Sequence, residues 1–106
     1  MQLIIGKKQK RNKQKEVIEK KIGLSTVIRD NENNITFIKG MKKFGMNLKV
    51  ASKFFSTKFK CWSYVTGEDE IIIQGSVRNE LINILPIQFP TIEAELIEDI
   101  GDQFLI

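Results

Sequence analysis

The sequence predicts a two-layer α+β domain, a five-stranded mixed sheet with two helices on one face, in the order ββαββαβ. Three observations lead there. Short runs that are rich in β-branched residues or alternate in polarity recur between clusters of Gly, Asn and Asp. Two longer stretches carry their apolar residues at helical spacing instead. A chain of 106 residues with 42% hydrophobic content supports one small core and no more.

The folded pattern begins near Ile22. Residues 25–29 (Ser-Thr-Val-Ile-Arg) are rich in β-branched side chains, and residues 35–39 alternate Ile-Thr-Phe-Ile-Lys; both suit a pleated, half-buried surface. Between them Asp30-Asn31-Glu32-Asn33-Asn34 is a turn composition, so the two strands read as a hairpin. Gly40 ends the second strand. Asn47 can cap a helix over residues 48–58, because its side-chain oxygen can accept from the first free backbone N–H groups. The inward face of that helix is Leu48, Ala51, Phe55 and Phe59. Residues 62–65 form a short strand, Thr66-Gly67-Glu68-Asp69 turns the chain, and residues 70–74 contain Ile71-Ile72-Ile73, a central strand that Gly75 breaks. A second helix over 77–85 turns Val77, Leu81, Ile84 and Leu85 inward; Pro86 and Pro90 end it. Residues 92–98 alternate Ile92, Ala94 and Leu96 against Glu93 and Glu95 and read as the last strand.

Composition removes much chemistry. One cysteine, Cys61, and no histidine exclude a disulfide framework, a Cys/His zinc site and His-dependent triads. No apolar run approaches the roughly 20 residues of a membrane span, so no membrane partner is expected. The apolar start precedes the basic stretch, the reverse of a secretory signal. A reducing, cytoplasmic home is the expectation. Gly-rich phosphate loops, nucleophile elbows and paired catalytic carboxylates are missing. Cys61 has Lys58 and Lys60 nearby, yet reads as structural. Glu68, Asp69 and Glu70 are consecutive, cannot all face one ion, and read as a solvated turn. The expected protein is no enzyme and uses no cofactor or metal.

The net charge of +4 is unevenly placed. Residues 1–21 hold eight basic and two acidic side chains, too polar to fold alone, and are expected to form a flexible tail ahead of a folded body at 22–106. Between residues 35 and 61 there are seven lysines and no acid, and from Thr66 onward nine acids and one base, Arg78. Such a dipole suggests a polyanionic partner for one face. Lys49 and Lys53, four apart on the first helix, with Lys42 and Lys43 before it and Lys58 and Lys60 at its end, can form one basic stripe for RNA phosphates. A merely solvated helix face is the plainer reading. Lys7, Lys8, Lys10, Arg11, Lys13 and Lys15 extend the basic surface into the tail, as an arm for RNA or a solubilising extension. Trp62, Tyr64, Phe54 and Phe37 could stack on bases, although strand aromatics are more often core. Phe54 falls on the lysine side of the helix, where an exposed ring would be a contact residue.

The run Gly40-Met-Lys-Lys-Phe-Gly45, then Asn47-Leu48-Lys49, Lys53-Phe54-Phe55, Lys58-Phe59-Lys60-Cys61 and Val65-Thr-Gly-Glu-Asp-Glu-Ile-Ile-Ile-Gln-Gly75 resembles the SUI domain of the translation initiation factor one superfamily. The Val65–Gly75 run and the closing Ile97-Glu98-Asp99-Ile100-Gly101 are similar to its density-regulated protein branch. The likeness spans about residues 24–101. It implies a five-stranded sheet with two helices on one face, and a factor bound to the small ribosomal subunit near the P site. The first helix would lie against ribosomal RNA and the first hairpin loop would point toward codon and anticodon. The family's helix lysines match Lys49, Lys53 and Lys58. The implied roles are reinitiation, ribosome recycling with initiator or deacylated tRNA, or non-standard initiation. The alternatives are start-codon scanning fidelity and a protein-interaction adapter without direct RNA binding, docking through its acidic third or an edge strand at residues 93–98. Three departures stand out. The first hairpin loop is basic in the family and acidic and amide-rich here. Small residues after the cysteine are replaced by Trp62-Ser63. The cysteine-bearing metal region that joins the branch to a PUA-domain partner has no counterpart in these residues, which leaves retention of that partner open.

Overall fold

The structure is a computed structural model, and it describes residues 20–29 and 33–104. Its elements are β1 (Ile22–Ile28), β2 (Ile35–Lys39), a 3-10 turn (Met41–Phe44), α1 (Leu48–Phe59), β3 (Ser63–Thr66), β4 (Glu70–Gln74), α2 (Arg78–Gln88), a second 3-10 turn (Ala94–Leu96) and β5 (Ile97–Phe104). The strands form one sheet in the order β3-β4-β2-β1-β5. Every pairing is antiparallel except β1 with β5, which is parallel and makes the sheet mixed. That one parallel pair needs a crossover, and α2 supplies it.

The register explains the core. Leu24 on β1 lies opposite Ile38 on β2, which lies opposite Ile71 on β4; one step along, Thr26, Thr36 and Ile73 align in the same way. All six are buried, and successive strand residues point to opposite faces, so one face of the sheet is packed along its length. Ala51 and Phe55 of α1 and Leu81 and Leu85 of α2 join the same cluster. The two buried threonines are satisfied. Thr36 donates its hydroxyl to the Gly75 carbonyl at 2.6 Å and accepts from the Val77 N–H at 3.0 Å, and Thr26 accepts from Arg78 at 2.7 Å.

The expected architecture is the one observed, with corrections at its ends. β1 starts at Ile22, three residues before the expected strand. α2 runs through Pro86 to Gln88. A proline in the last turn loses only its own donor, and the turn is kept by the Phe89 N–H on the Leu85 carbonyl at 2.8 Å and the Ile92 N–H on the Phe89 carbonyl at 2.8 Å. The last strand is Ile97–Phe104 and not 92–98. Ile92 is fully buried, but in the turn after α2, and residues 94–96 are a 3-10 turn. The apolar alternation that suggested a strand there is one buried anchor followed by a turn. The true strand is an edge strand whose residues are largely exposed, so it shows no alternation to read. It also bulges: Leu24 pairs with Asp99 and Ser25 with Gly101, leaving Ile100 unpaired.

Gly40 sits where β2 leaves the sheet, with φ +111°. A Cβ there would lie 2.2 Å from the Lys21 carbonyl oxygen. Gly45 also has positive φ, +79°, but faces open space. Gly40→Ala is therefore expected to cost at least about 2 kcal/mol, combining backbone strain with overlap against main chain, and Gly45→Ala about 1 kcal/mol. Urea unfolding of both variants checks this; equal losses would contradict it.

Candidate nucleic-acid interface

α1 is held at both ends by local chemistry. Asn47 Oδ1 accepts from the N–H groups of Lys49 at 3.0 Å and Val50 at 3.1 Å. At the other end Lys60 adopts φ +53°, the only non-glycine with positive φ among the described residues, and the Lys60 and Cys61 N–H groups both reach the Ser56 carbonyl. Ala51, Ser52 and Phe55 are buried against the sheet, and Ser52 Oγ lies 2.9 Å from Ser63 Oγ, tying the helix to the edge strand β3. With 3.6 residues per turn, the face opposite this contact carries Lys49, Val50, Lys53 and Thr57, all exposed. The helix contains no carboxylate, so this outer face is purely basic.

The other lysines surround it unequally. Lys58 is exposed but lies about 140° around the helix from Lys53. Lys60 is exposed on the C-terminal cap. Lys42 and Lys43 line a groove whose other wall is Gly67, Glu68, Asp69 and Glu70, and the Lys42 N–H donates to Asp69 Oδ1 at 2.7 Å. Those two lysines thus stand beside the acidic turn, and Lys49 with Lys53 is the face free of acids. Lys7, Lys8, Lys10, Arg11, Lys13 and Lys15 lie outside the described residues, as do Asp30, Asn31 and Glu32 of the first hairpin loop.

Phe54 does not join the lysine face as an exposed ring. It packs against the core, edge-on to Phe55 at 5.5 Å and to Phe89 at 5.8 Å between centroids. The reason is Phe89, which the extension of α2 beyond Pro86 delivers to the flank of α1. Cys61 is partly buried, and burial pushes its thiol up from the ordinary range, partly offset by the Gln74 backbone. It is a neutral thiol at pH 7, as a structural cysteine should be.

The sequence hid one important residue. Arg78, the first residue of α2, places Nε 2.6 Å from Asp99 Oδ1 and Nη1 2.6 Å from Asp102 Oδ1, while Nη1 also donates to Thr26. The hydrogen bond to Asp102 raises its pKa above the usual arginine range, so it stays charged at any working pH. A cation opposes the helix dipole at an N-terminus, and the two carboxylates offset that cost. Their spacing along β5 was invisible while the last strand was expected several residues earlier. Arg78→Met should cost about 1–2 kcal/mol, discounted because both aspartates are half exposed, and should loosen β5 first. Hydrogen exchange across residues 97–104 would detect the loosening; unchanged protection there would refute the anchor.

The arrangement is an α+β domain whose sheet holds a capped helix with its basic side outward. Residues 4–89 match the family model described as translation initiation factor SUI1, and the chain belongs to that family. It is similar to the density-regulated protein homolog of Drosophila melanogaster, 45% identical over 98 residues, which cover 92% of this chain and 52% of that protein. The human density-regulated protein is 35% identical over 88 residues, 83% of this chain and 44% of its own length. The chain thus spans about half the length of these relatives. Among solved structures the C-terminal domain of human eIF2D aligns with TM-score 0.64 at 12% identity, covering 77% of this chain and 43% of that one, which supports the fold.

Proposed function

We propose that this chain is a non-enzymatic translation factor that binds the small ribosomal subunit near the P site, in the cytoplasm, and acts in reinitiation, recycling or non-standard initiation. The observation that carries the reading is the acid-free outer face of α1, with Lys49 and Lys53 exposed on a helix fixed at both ends, in a chain of the SUI1 family. Such a face suits a run of RNA phosphates, because fixed lysines release condensed counterions without reordering the protein. Lys60, exposed on the C-terminal cap, adds to the contact, while Lys42 and Lys43 beside the acidic turn and Lys58, about 140° around the helix, are peripheral to it. Similarity to density-regulated proteins favours the reinitiation and recycling roles over scanning. Co-sedimentation with purified small subunits at moderate salt tests the proposal: recovery in the subunit fraction is expected, and recovery wholly in the supernatant would end it.

Residues 1–21 act in this reading as a basic arm that adds affinity without selectivity, since phosphate contacts carry little sequence information. Deleting residues 1–19, which remove six basic and two acidic side chains, should lower subunit affinity more at low salt than at high salt. The position bound should not change. Affinity that is untouched across the salt range would show the segment to be inert.

A further inference from the structure

The face of the sheet turned away from the helices carries an aromatic patch. Trp62, just before β3, and Tyr64 within it stand side by side, ring centroids 5.4 Å apart and planes tilted by 32°. Tyr64 is 59% exposed and Trp62 37%. Across the sheet Tyr64 lies opposite Ile72, and Ile72 opposite Phe37, so the patch continues onto β4 and β2. At its Trp62 end opens a recess of about 90 Å³ lined by Arg29, Asn33, Asn34, Ile35, Trp62 and Gln74. Main-chain bonds frame it: the Gln74 N–H donates to the Trp62 carbonyl at 3.1 Å and the Gly75 N–H to the Asn34 carbonyl at 2.8 Å.

This volume is far below the roughly 300–1,000 Å³ of a small-molecule pocket, so a free metabolite is a poor fit. A single planar group laid on the indole is the right scale. Three carboxamides line the recess. Asn34 Nδ2 donates to Ser76 Oγ at 3.2 Å and Gln74 Oε1 accepts from the Trp62 N–H at 3.4 Å, which leaves Asn34 Oδ1 as an acceptor and the Gln74 side-chain amide N–H as a donor, the pairing that a base edge requires. Among the described residues that line the recess the one charged side chain is the Arg29 guanidinium. Lys60 lies two residues before Trp62. An exposed tryptophan–tyrosine platform beside an open amide edge and a guanidinium suits a base with its phosphate, whereas a peptide would bring its own backbone polar groups to a recess this small.

We propose that this recess takes one unpaired nucleobase of a single-stranded RNA segment, stacked on Trp62 beside Tyr64, with Arg29 on the adjoining phosphate. The site lies on the sheet face opposite α1, so it would make a second RNA contact. It deepens the ribosome-binding reading and rests on that reading only for the source of the strand.

Trp62 is the single tryptophan of the chain, so its fluorescence reports this site alone. The full chain is titrated with single-stranded RNA hexanucleotides, with an abasic ribose-phosphate strand of equal length and with a duplex. The base-bearing single strand should quench Trp62 saturably, and the abasic strand and duplex should bind at least about fivefold more weakly. Tyr64→Ala followed by fluorescence, and Trp62→Ala followed by anisotropy of labelled RNA, should each weaken binding roughly 5- to 100-fold. Arg29→Gln should weaken it less and lower the salt slope by about one. All three changes fall on the exposed face, and their melting curves confirm the fold. Absent quenching, equal quenching by the abasic strand, or crosslinking of Trp62 to a ribosomal protein in the bound complex would overturn the inference. If that happens while wild-type chain still sediments with subunits, this site alone is lost; if sedimentation fails, the wider reading is.

Discussion

Reversing the charge of Lys49 and Lys53 together is expected to reduce small-subunit affinity by roughly a hundredfold or more at moderate salt. Each side chain is assigned one phosphate contact, a charge-assisted bond of about 1.5 kcal/mol, or about tenfold. Reversal adds repulsion from the phosphates to that loss. The slope of log affinity against log salt should fall by about two. The fold should not suffer: both residues are exposed, and among the described residues neither side chain has an ion-pair partner. A glutamate at position 49 also enters the first turn of α1, where a negative charge is favoured by the helix dipole. Filter binding or co-sedimentation across a salt series, beside a melting curve, reads both halves. A variant that melts normally and binds normally would remove α1 from the RNA-facing surface.

Phe55→Ala should cost about 3–5 kcal/mol of stability, the largest loss from any single truncation proposed here. Phe55 is fully buried at the centre of the contact between α1 and the sheet. Its ring stacks on Phe59 at 6.4 Å and meets Phe54 and Phe89 edge-on at 5.5 Å and 6.1 Å between centroids. The loss therefore breaks the link between α1 and the end of α2 as well as opening a cavity. A small domain has only about 5–15 kcal/mol in total, so the variant should be largely unfolded or molten at 37 °C. Denaturant unfolding gives the number; a loss below about 1 kcal/mol would mean that the helix layer repacks and that the cluster is not the core.

The strands that pair in the middle of the sheet were legible because burial on one face imprints a pattern. Ile35–Lys39 and Glu70–Gln74 have the same bounds in sequence and structure. The capped start of α1 was legible for a different reason: Asn47 precedes a helical apolar repeat, and its side chain makes the two bonds that position requires. Legibility failed where tertiary contact overrides local signals. Pro86 reads as a stop, yet the packing of Leu85 and the bond from Phe89 carry α2 past it. β5 is defined by pairing with β1 and by Arg78, and neither can be seen in a run of exposed acids and glutamine. The clustering of lysines between residues 35 and 61 was legible as composition, but their division among different faces, in place of one stripe, was not. Only the fold shows that Lys42 and Lys43 stand against the Glu68–Glu70 wall while Lys49 and Lys53 do not. Phe54 looked like a surface ring because Phe89, which covers it, is 35 residues away in sequence.

The central claim is that the outer face of α1 lies on small-subunit RNA. A cryo-microscopy density map of the chain bound to the small subunit tests it most directly. The account predicts density near the P site with Lys49 and Lys53 within reach of RNA phosphates and the helix axis along the RNA backbone. A map in which α1 faces solvent, with the chain held by protein contacts through β5 or the acidic turn, would contradict it.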